Sequence, residues 1–314
     1  MPFQDVRGVA HYYEWVTAEV NQPTGRPVLV FLHGWGGSCR YWRSTAQSLT
    51  DQFDCLLYDL RGFGRSRLAA ASGQDYRLET YAEDLARFLD QLKTGPVQVS
   101  AHSMGSSIAT LFAAQNSGAV ERLVLTCGGV FEYEPQAFET FQRFGSGVVK
   151  FRPRWLTQIP LLDRLFMARF LHQSLPAVES QAFLADFVAA DAAAALGTLR
   201  DSVSEAMAER LPAAFSALAI PTLLISGQYD RIIPPSLGQQ AVALNRAIAY
   251  QEIPATGHFP MLESPQVYQT VLRSFLRPEA AAVSDQVDTP TPPTSTVGFP
   301  PGSEGVSDPI PTGE

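Results

Sequence analysis

The sequence predicts an α/β protein with a mostly parallel central sheet flanked by helices. Three observations carry this. Short runs rich in Val, Ile and Leu recur along the chain at the length of strands buried on both faces. Longer segments of helical period lie between them, the alternation expected of strands joined by crossover helices. The 314 residues are 46% hydrophobic and 17% charged, a composition that buries a core rather than remaining disordered.

Val9 to Val16 has strand-like residues and supplies an antiparallel start. Val28 to Leu32 is the first strongly apolar run, followed by the glycine-rich His33-Gly34-Trp35-Gly36-Gly37-Ser38 and a helix containing Trp42 and Leu49. Cys55 to Tyr58 is the next strand. Tyr81, Leu85, Phe88, Leu89 and Leu92 then share one stripe of a helix packed on the sheet. Val97 to Val99 leads into Ser100-Ala101-His102-Ser103-Met104-Gly105, after which Ile108, Leu111 and Phe112 fall at helical spacing. Leu123 to Thr126, Thr222 to Ser226 and Tyr250 to Ile253 complete the strands, and Pro265 to Leu276 forms a terminal helix.

The rhythm breaks between Phe131 and Leu211, where no strand is evident and helical stretches such as Pro176 to Ala195 appear. This reads as a helical insertion rich in aromatics, some facing a pocket beneath it. The expected organisation is a core of residues 1–130 and 212–280, an insertion of 131–211 and an acidic tail of 281–314. That tail has seven prolines and no Lys or Arg, so it is expected to be disordered.

The formal net charge of −8, from 31 acidic and 23 basic residues, argues against general nucleic-acid binding, which draws on neutralising phosphates. Cys39, Cys55 and Cys127 are an odd number, and two lie in or beside apolar runs, so a reducing compartment is expected. The first residues show no basic segment followed by an apolar one, and no apolar stretch approaches the ~20 residues of a membrane helix. The expectation is a cytoplasmic chain without stable membrane insertion.

The chemistry centres on Ser103. A strand turning sharply into a helix at a serine flanked by small residues exposes Oγ, and the helix N-terminus favours developing negative charge. Taken alone, a serine near a helix N-cap is an equally good reading. The glycine-rich turn after Leu32 can bring backbone N–H groups to a reacting centre, which makes the Trp35 and Met104 amides candidates for an oxyanion hole. It lacks the Gly-Lys-Ser/Thr ending or G-x-G-x-x-G register of a phosphate-binding loop.

A serine nucleophile needs a base, most often histidine. Of His11, His33, His102, His172 and His258, only His258 sits in a loop after a strand at the carboxyl edge of the sheet, where ligands bind in open α/β folds. His33 is placed to order the oxyanion turn and His102 to pack beside the serine. Asp230, just past the strand ending at Ser226, is the candidate carboxylate for fixing the imidazole tautomer. A turn-capping aspartate before Pro234 and Pro235 is the competing reading. His33, Gly34, Trp42, His102 and Phe259 are candidate pocket residues.

With these motifs in the order Ser103, Asp230, His258, the chain resembles the α/β-hydrolase superfamily, in its branch with a helical cap and an H-G-W type oxyanion loop. Asp59-Leu60-Arg61-Gly62-Phe63-Gly64-Arg65-Ser66 is similar to a further loop of that branch, mostly structural there. The resemblance runs from roughly Val9 to Leu276. It implies a cap inserted after the sixth strand, Ser103 as nucleophile, Asp230 as acid, His258 as base, and Trp35 and Met104 as oxyanion donors. Ala101 and Ser106 depart from the glycines usual around the serine, but both are small. An aspartate nucleophile would have implied dehalogenase or epoxide hydrolase chemistry, against which Ser103 counts.

The expected activity is cleavage of a carboxylic ester or thioester with an apolar part, through an acyl-enzyme and without metal or organic cofactor. Two other readings stay open: non-hydrolytic carbon–carbon cleavage or elimination with the same residues as a base, and a ligand-binding receptor that retains them. The expected partner is a small-molecule ester. Arg143, Lys150, Arg152 and Arg154 leave contact with an acidic acyl carrier open, against the alternative of a solvated basic face.

Overall fold

The sheet in this computed structural model, which describes residues 3–19, 22–68 and 75–276, has eight strands. In chain order they are β1 (Phe3–Val6), β2 (Val9–Val16), β3 (Val28–Leu32), β4 (Asp54–Tyr58), β5 (Val97–His102), β6 (Val120–Thr126), β7 (Thr222–Gly227) and β8 (Ile248–Ile253). Their spatial order is β1-β2-β4-β3-β5-β6-β7-β8. The pairs β1–β2 and β2–β4 are antiparallel and all the others parallel.

The helices are α1 (Arg43–Gln47), α2 (Leu78–Leu92), α3 (Met104–Gln115), α4 (Pro135–Lys150), α5 (Leu162–Met167), α6 (Ala177–Ala189), α7 (Ala192–Ser202), α8 (Glu205–Ala217), α9 (Pro235–Ala243), α10 (Pro260–Glu263) and α11 (Pro265–Leu276). Alternation along the central strands sorts two core layers. Val30 and Leu32 of β3 pack with Leu85 and Phe88 of α2 and Ile108 of α3, whereas Leu29 and Phe31 pack with Trp42 and with Tyr268 and Leu272 of α11. β4, β5 and β7 are buried along their whole length, which is why they read as unbroken apolar runs.

β3 feeds β4 on one side, and the chain then crosses to place β5 on the other. This reversal opens a crevice at the carboxyl ends of β3 and β5. All helices from α4 to α8 lie between β6 and β7 in sequence.

Three local features differ from the sequence expectation. β1 was not anticipated, because Gln4 and Asp5 interrupt its apolar pattern; Arg7 and Gly8, both at positive φ (56° and 79°), turn it into β2. The helix expected over Pro176 to Ala195 is two helices, α6 and α7, meeting at 97°. Ala190 is extended there, and the Asp191 carboxylate caps α7 by accepting from the Ala193 and Ala194 amides. The expected boundary at Leu211 falls inside α8, whose Met207, Leu211 and Phe215 are buried in the core shared with α3. The tail expected to be disordered, 281–314, lies outside the described residues. Among the described residues, no single helix is long and apolar enough to cross a membrane.

Candidate active site

The turn from β5 into α3 places Ser103 at φ 54° and ψ −121°, a backbone conformation rare for a residue with a side chain. The turn is held by the Ser103 amide donating to the Thr126 carbonyl at 2.9 Å. Gly105 has no room for a side chain, since a Cβ there would lie 2.5 Å from the His33 carbonyl oxygen. The two departures from glycine are accommodated. Ala101 is fully buried in the core, and Ser106 Oγ lies 3.0 Å from the Ala101 carbonyl and 3.1 Å from that of Thr126, donating to this pair.

The loops after β7 and β8 bring Asp230 and His258 to the same edge. They touch directly: a Cβ at Gly227 would lie 1.9 Å from the Gly257 carbonyl oxygen, so only glycine fits at the end of β7. His258 Nε2 is 3.0 Å from Ser103 Oγ, and its Nδ1 is 2.7 Å from Asp230 Oδ2. A carboxylate accepts, so the imidazole proton belongs on Nδ1 and Nε2 is left to accept from the serine hydroxyl. Asp230 Oδ1 accepts from the Ile232 and Ile233 amides at 2.8 and 3.0 Å, which fixes the carboxylate. The turn-capping role that competed with a catalytic one is thus performed by the other oxygen of the same group.

The oxyanion candidates flank this serine. Among the described residues, the backbone amides of Trp35 and Met104 have no carbonyl acceptor, whereas those of Ser103 and Ser106 do. The Trp35 indole donates to the Ala195 carbonyl at 2.9 Å and so ties the loop to α7. The Asp59–Ser66 loop is a brace. Ser66 Oγ donates to the Asp59 carbonyl and accepts from the Tyr12 amide, while the Asp59 carboxylate accepts from the Cys39 and Arg65 amides.

Two residues that the sequence reading did not single out organise the site. Tyr41 accepts from the Gly34 amide, and its hydroxyl is 2.9 Å from His102 Nδ1. His102 Nε2 is 2.7 Å from the His258 carbonyl, which can only accept, so the ring carries its proton there and Tyr41 donates to Nδ1. Burial, and then the neighbouring His258, push the His102 pKa well below the usual histidine value and keep it neutral. The oxyanion loop, the residue before the serine and the loop of the base are joined by this chain. Glu263 fixes the base loop from the other side: Oε1 accepts from the Gly257 and Phe259 amides, and Oε2 from those of His172 and Gln173.

His102, Cys127 and His258 cluster closely enough to suggest a metal site, their ligand atoms lying within 4.8 Å of one another. All four ring nitrogens already have partners in this protein, however. The Cys127 thiol is held well above its ordinary pKa by burial and by the Asp230 carboxylate, which keeps it protonated. The set suits hydrogen bonding better than ligation.

Ser103 opens into a cavity of about 510 Å³ whose walls include Phe138, Phe166, Phe170, Phe183 and Phe187 from the segment between β6 and β7. Of the candidate pocket residues, Gly34, His102 and Phe259 are in its lining, and His33 and Trp42 are not. His33 is buried behind the loop, with Nδ1 donating to the Gly34 carbonyl and Nε2 accepting from the Leu60 amide. Trp42 is fully buried between the sheet and α11, its indole donating to the Leu32 carbonyl. His33 turns toward the Leu60 amide and Trp42, in the turn Cys39–Trp42, back toward the Leu32 carbonyl, each away from the cavity.

Residues 27–265 match the family described as the alpha/beta hydrolase fold. A soluble epoxide hydrolase from Corynebacterium sp. (strain C12) is 30% identical over 278 residues, covering 82% of this chain and 92% of that protein. A thermophilic esterase from Thermogutta terrifontis superposes with a TM-score of 0.70 at 25% identity, covering 88% of this chain and 97% of the other. The enol-lactonase from Burkholderia xenovorans LB400 superposes with a TM-score of 0.72 at 20% identity, covering 88% and 99%.

Proposed function

We propose that this chain, which belongs to the α/β-hydrolase family, is a serine hydrolase that cleaves a carboxylic ester or thioester with an apolar part. The observation that carries this reading is the continuous run from Ser103 Oγ through His258 to Asp230, at 3.0 and 2.7 Å. Ser103 Oγ attacks the carbonyl carbon as His258 Nε2 takes its proton, and the resulting imidazolium is stabilised by Asp230. The tetrahedral oxyanion lies between the Trp35 and Met104 amides, where loss of one such donor typically costs about 3–4 kcal/mol of transition-state stabilisation. The imidazolium returns its proton to the leaving alcohol or thiol. Water, deprotonated by the same histidine, then hydrolyses the acyl-enzyme.

The relative from Corynebacterium opens epoxides, as its name states. For this chain the serine at the turn supports acyl transfer instead, since a hydroxyl beside a neutral imidazole is the arrangement that generates an alkoxide-like nucleophile. The aromatic walls support an apolar acyl or alcohol group, and the volume falls in the range of small-molecule sites. Neither a metal nor an organic cofactor takes part in this scheme, and we place the reaction in the cytoplasm.

The test is kcat/KM across p-nitrophenyl esters of increasing acyl length. Values that rise with length through the medium-chain esters support the reading. A flat profile or a preference for acetate would remove its apolar part, and no turnover of any ester would remove the reading itself.

A further inference from the structure

The segment joining α4 to α6 exposes apolar side chains that a water-facing surface has no reason to carry. Phe151 is 72% exposed, Trp155 53%, Leu161 64% and Leu165 73%. α5 carries both apolar and basic groups on its outer side. Asp163, Phe166 and Met167 turn inward, while Arg164 and Leu165 on the helix, with Leu161 and Ala168 at its two ends, are turned outward.

The charge of this segment is opposite to that of the whole. Residues 150–169 carry Lys150, Arg152, Arg154, Arg164 and Arg169 against Asp163 alone, and Asp163 is buried; the full chain carries −8. Leu165 and Arg169 are both exposed and also line the cavity above Ser103, so the patch is continuous with the mouth of the site.

We propose that residues 150–169 dock this protein on the surface of an anionic lipid bilayer, from which a lipid-borne ester enters the cavity. The inference rests on the ester-hydrolase reading of the site. Aromatic and aliphatic side chains enter the acyl boundary, with Trp155 at the interface, while the exposed Lys150, Arg154 and Arg164 meet phosphate headgroups; Arg152 instead donates to the Val149, Phe187 and Ala190 carbonyls. An overall negative protein is repelled by an anionic leaflet unless its basic residues are gathered on the face that approaches it. Continuity between patch and cavity lets an acyl chain pass from bilayer to site without crossing water. An acidic carrier protein would account for the basic residues and leave the exposed Phe151, Leu161 and Leu165 without a purpose.

The test is flotation of the full chain with phosphatidylcholine vesicles, with and without added phosphatidylglycerol. The native chain and the Ser103→Ala variant should both float with the phosphatidylglycerol vesicles, less so at high salt. The Trp155→Ser/Leu161→Ser double variant should lose more than about tenfold in binding, yet hydrolyse a water-soluble ester at the native rate. Unchanged binding by the double variant, or no binding by the native chain, would overturn the proposal. So would a native dimer that dissociates in that variant, which would make the patch a contact between copies. Capture by an acidic acyl carrier in place of vesicles would equally overturn it. Because Ser103→Ala floats whether or not the serine reacts, failure here is distinguishable from failure of the active-site reading.

Discussion

The two halves of the site are built by different physics. On the sheet side, Ser103, Asp230 and His258 stand in loops that leave strand ends, and hydrogen bonds specify each group at both ends of its side chain or backbone. On the helical side, the cavity wall is a set of phenylalanines in mutual contact, Phe166 against Phe170, Phe183 and Phe187 at centroid distances of 4.9–6.2 Å. Hydrogen bonds fix the direction of individual polar groups, whereas the tilted aromatic contacts set the shape and apolarity of a wall. Under the ester-hydrolase reading proposed above, the chemistry falls to the hydrogen-bonded half and substrate choice to the aromatic one.

This division predicts how variants will separate. Ser103→Ala should lower kcat on the order of 10⁴-fold or more for every ester, short or long. A loss confined to long esters would break the division outright. Asp230→Asn, measured in the same way, should cost about 10³–10⁴-fold in kcat with little change in KM, because it disturbs the tautomer and not the pocket.

Tyr41→Phe keeps the ring that packs edge-on against His102 and removes the hydroxyl between the Gly34 amide and His102 Nδ1. It should lower kcat by about 10–100-fold, since each orphaned buried partner costs on the order of 1–3 kcal/mol. KM for a long ester should stay near native, and a rise in KM instead would place Tyr41 in the recognising half. Phe166→Ala, from the helical wall, should show the reverse and smaller pattern. Its KM for long-chain esters should rise about tenfold while kcat on a short ester stays within about twofold.

Legibility in the sequence follows the same line. Ser103, Asp230 and His258 could be read because each stands just past an apolar strand, so local backbone context gives its place on the sheet edge. Tyr41 and Glu263 could not. Each has near partners, Gly34 for Tyr41 and Gly257 and Phe259 for Glu263, but the groups they tie in are distant: Tyr41 meets His102, 61 residues away, and Glu263 reaches His172 and Gln173, 91 and 90 residues away. His33 and Trp42 were misplaced for a related reason: a motif locates a loop, but the direction of a side chain leaving it depends on which carbonyl it meets. The helix break at Asp191 was locally encoded, as an aspartate able to cap, but a run of alanines on both sides masked it.

The most direct measurement of the central claim is the intact mass of the full chain after incubation with a fluorophosphonate, compared with Ser103→Ala. An activated serine predicts a single covalent adduct on the native chain and none on the variant. A folded native chain that takes no adduct, or a variant that still takes one, would contradict it.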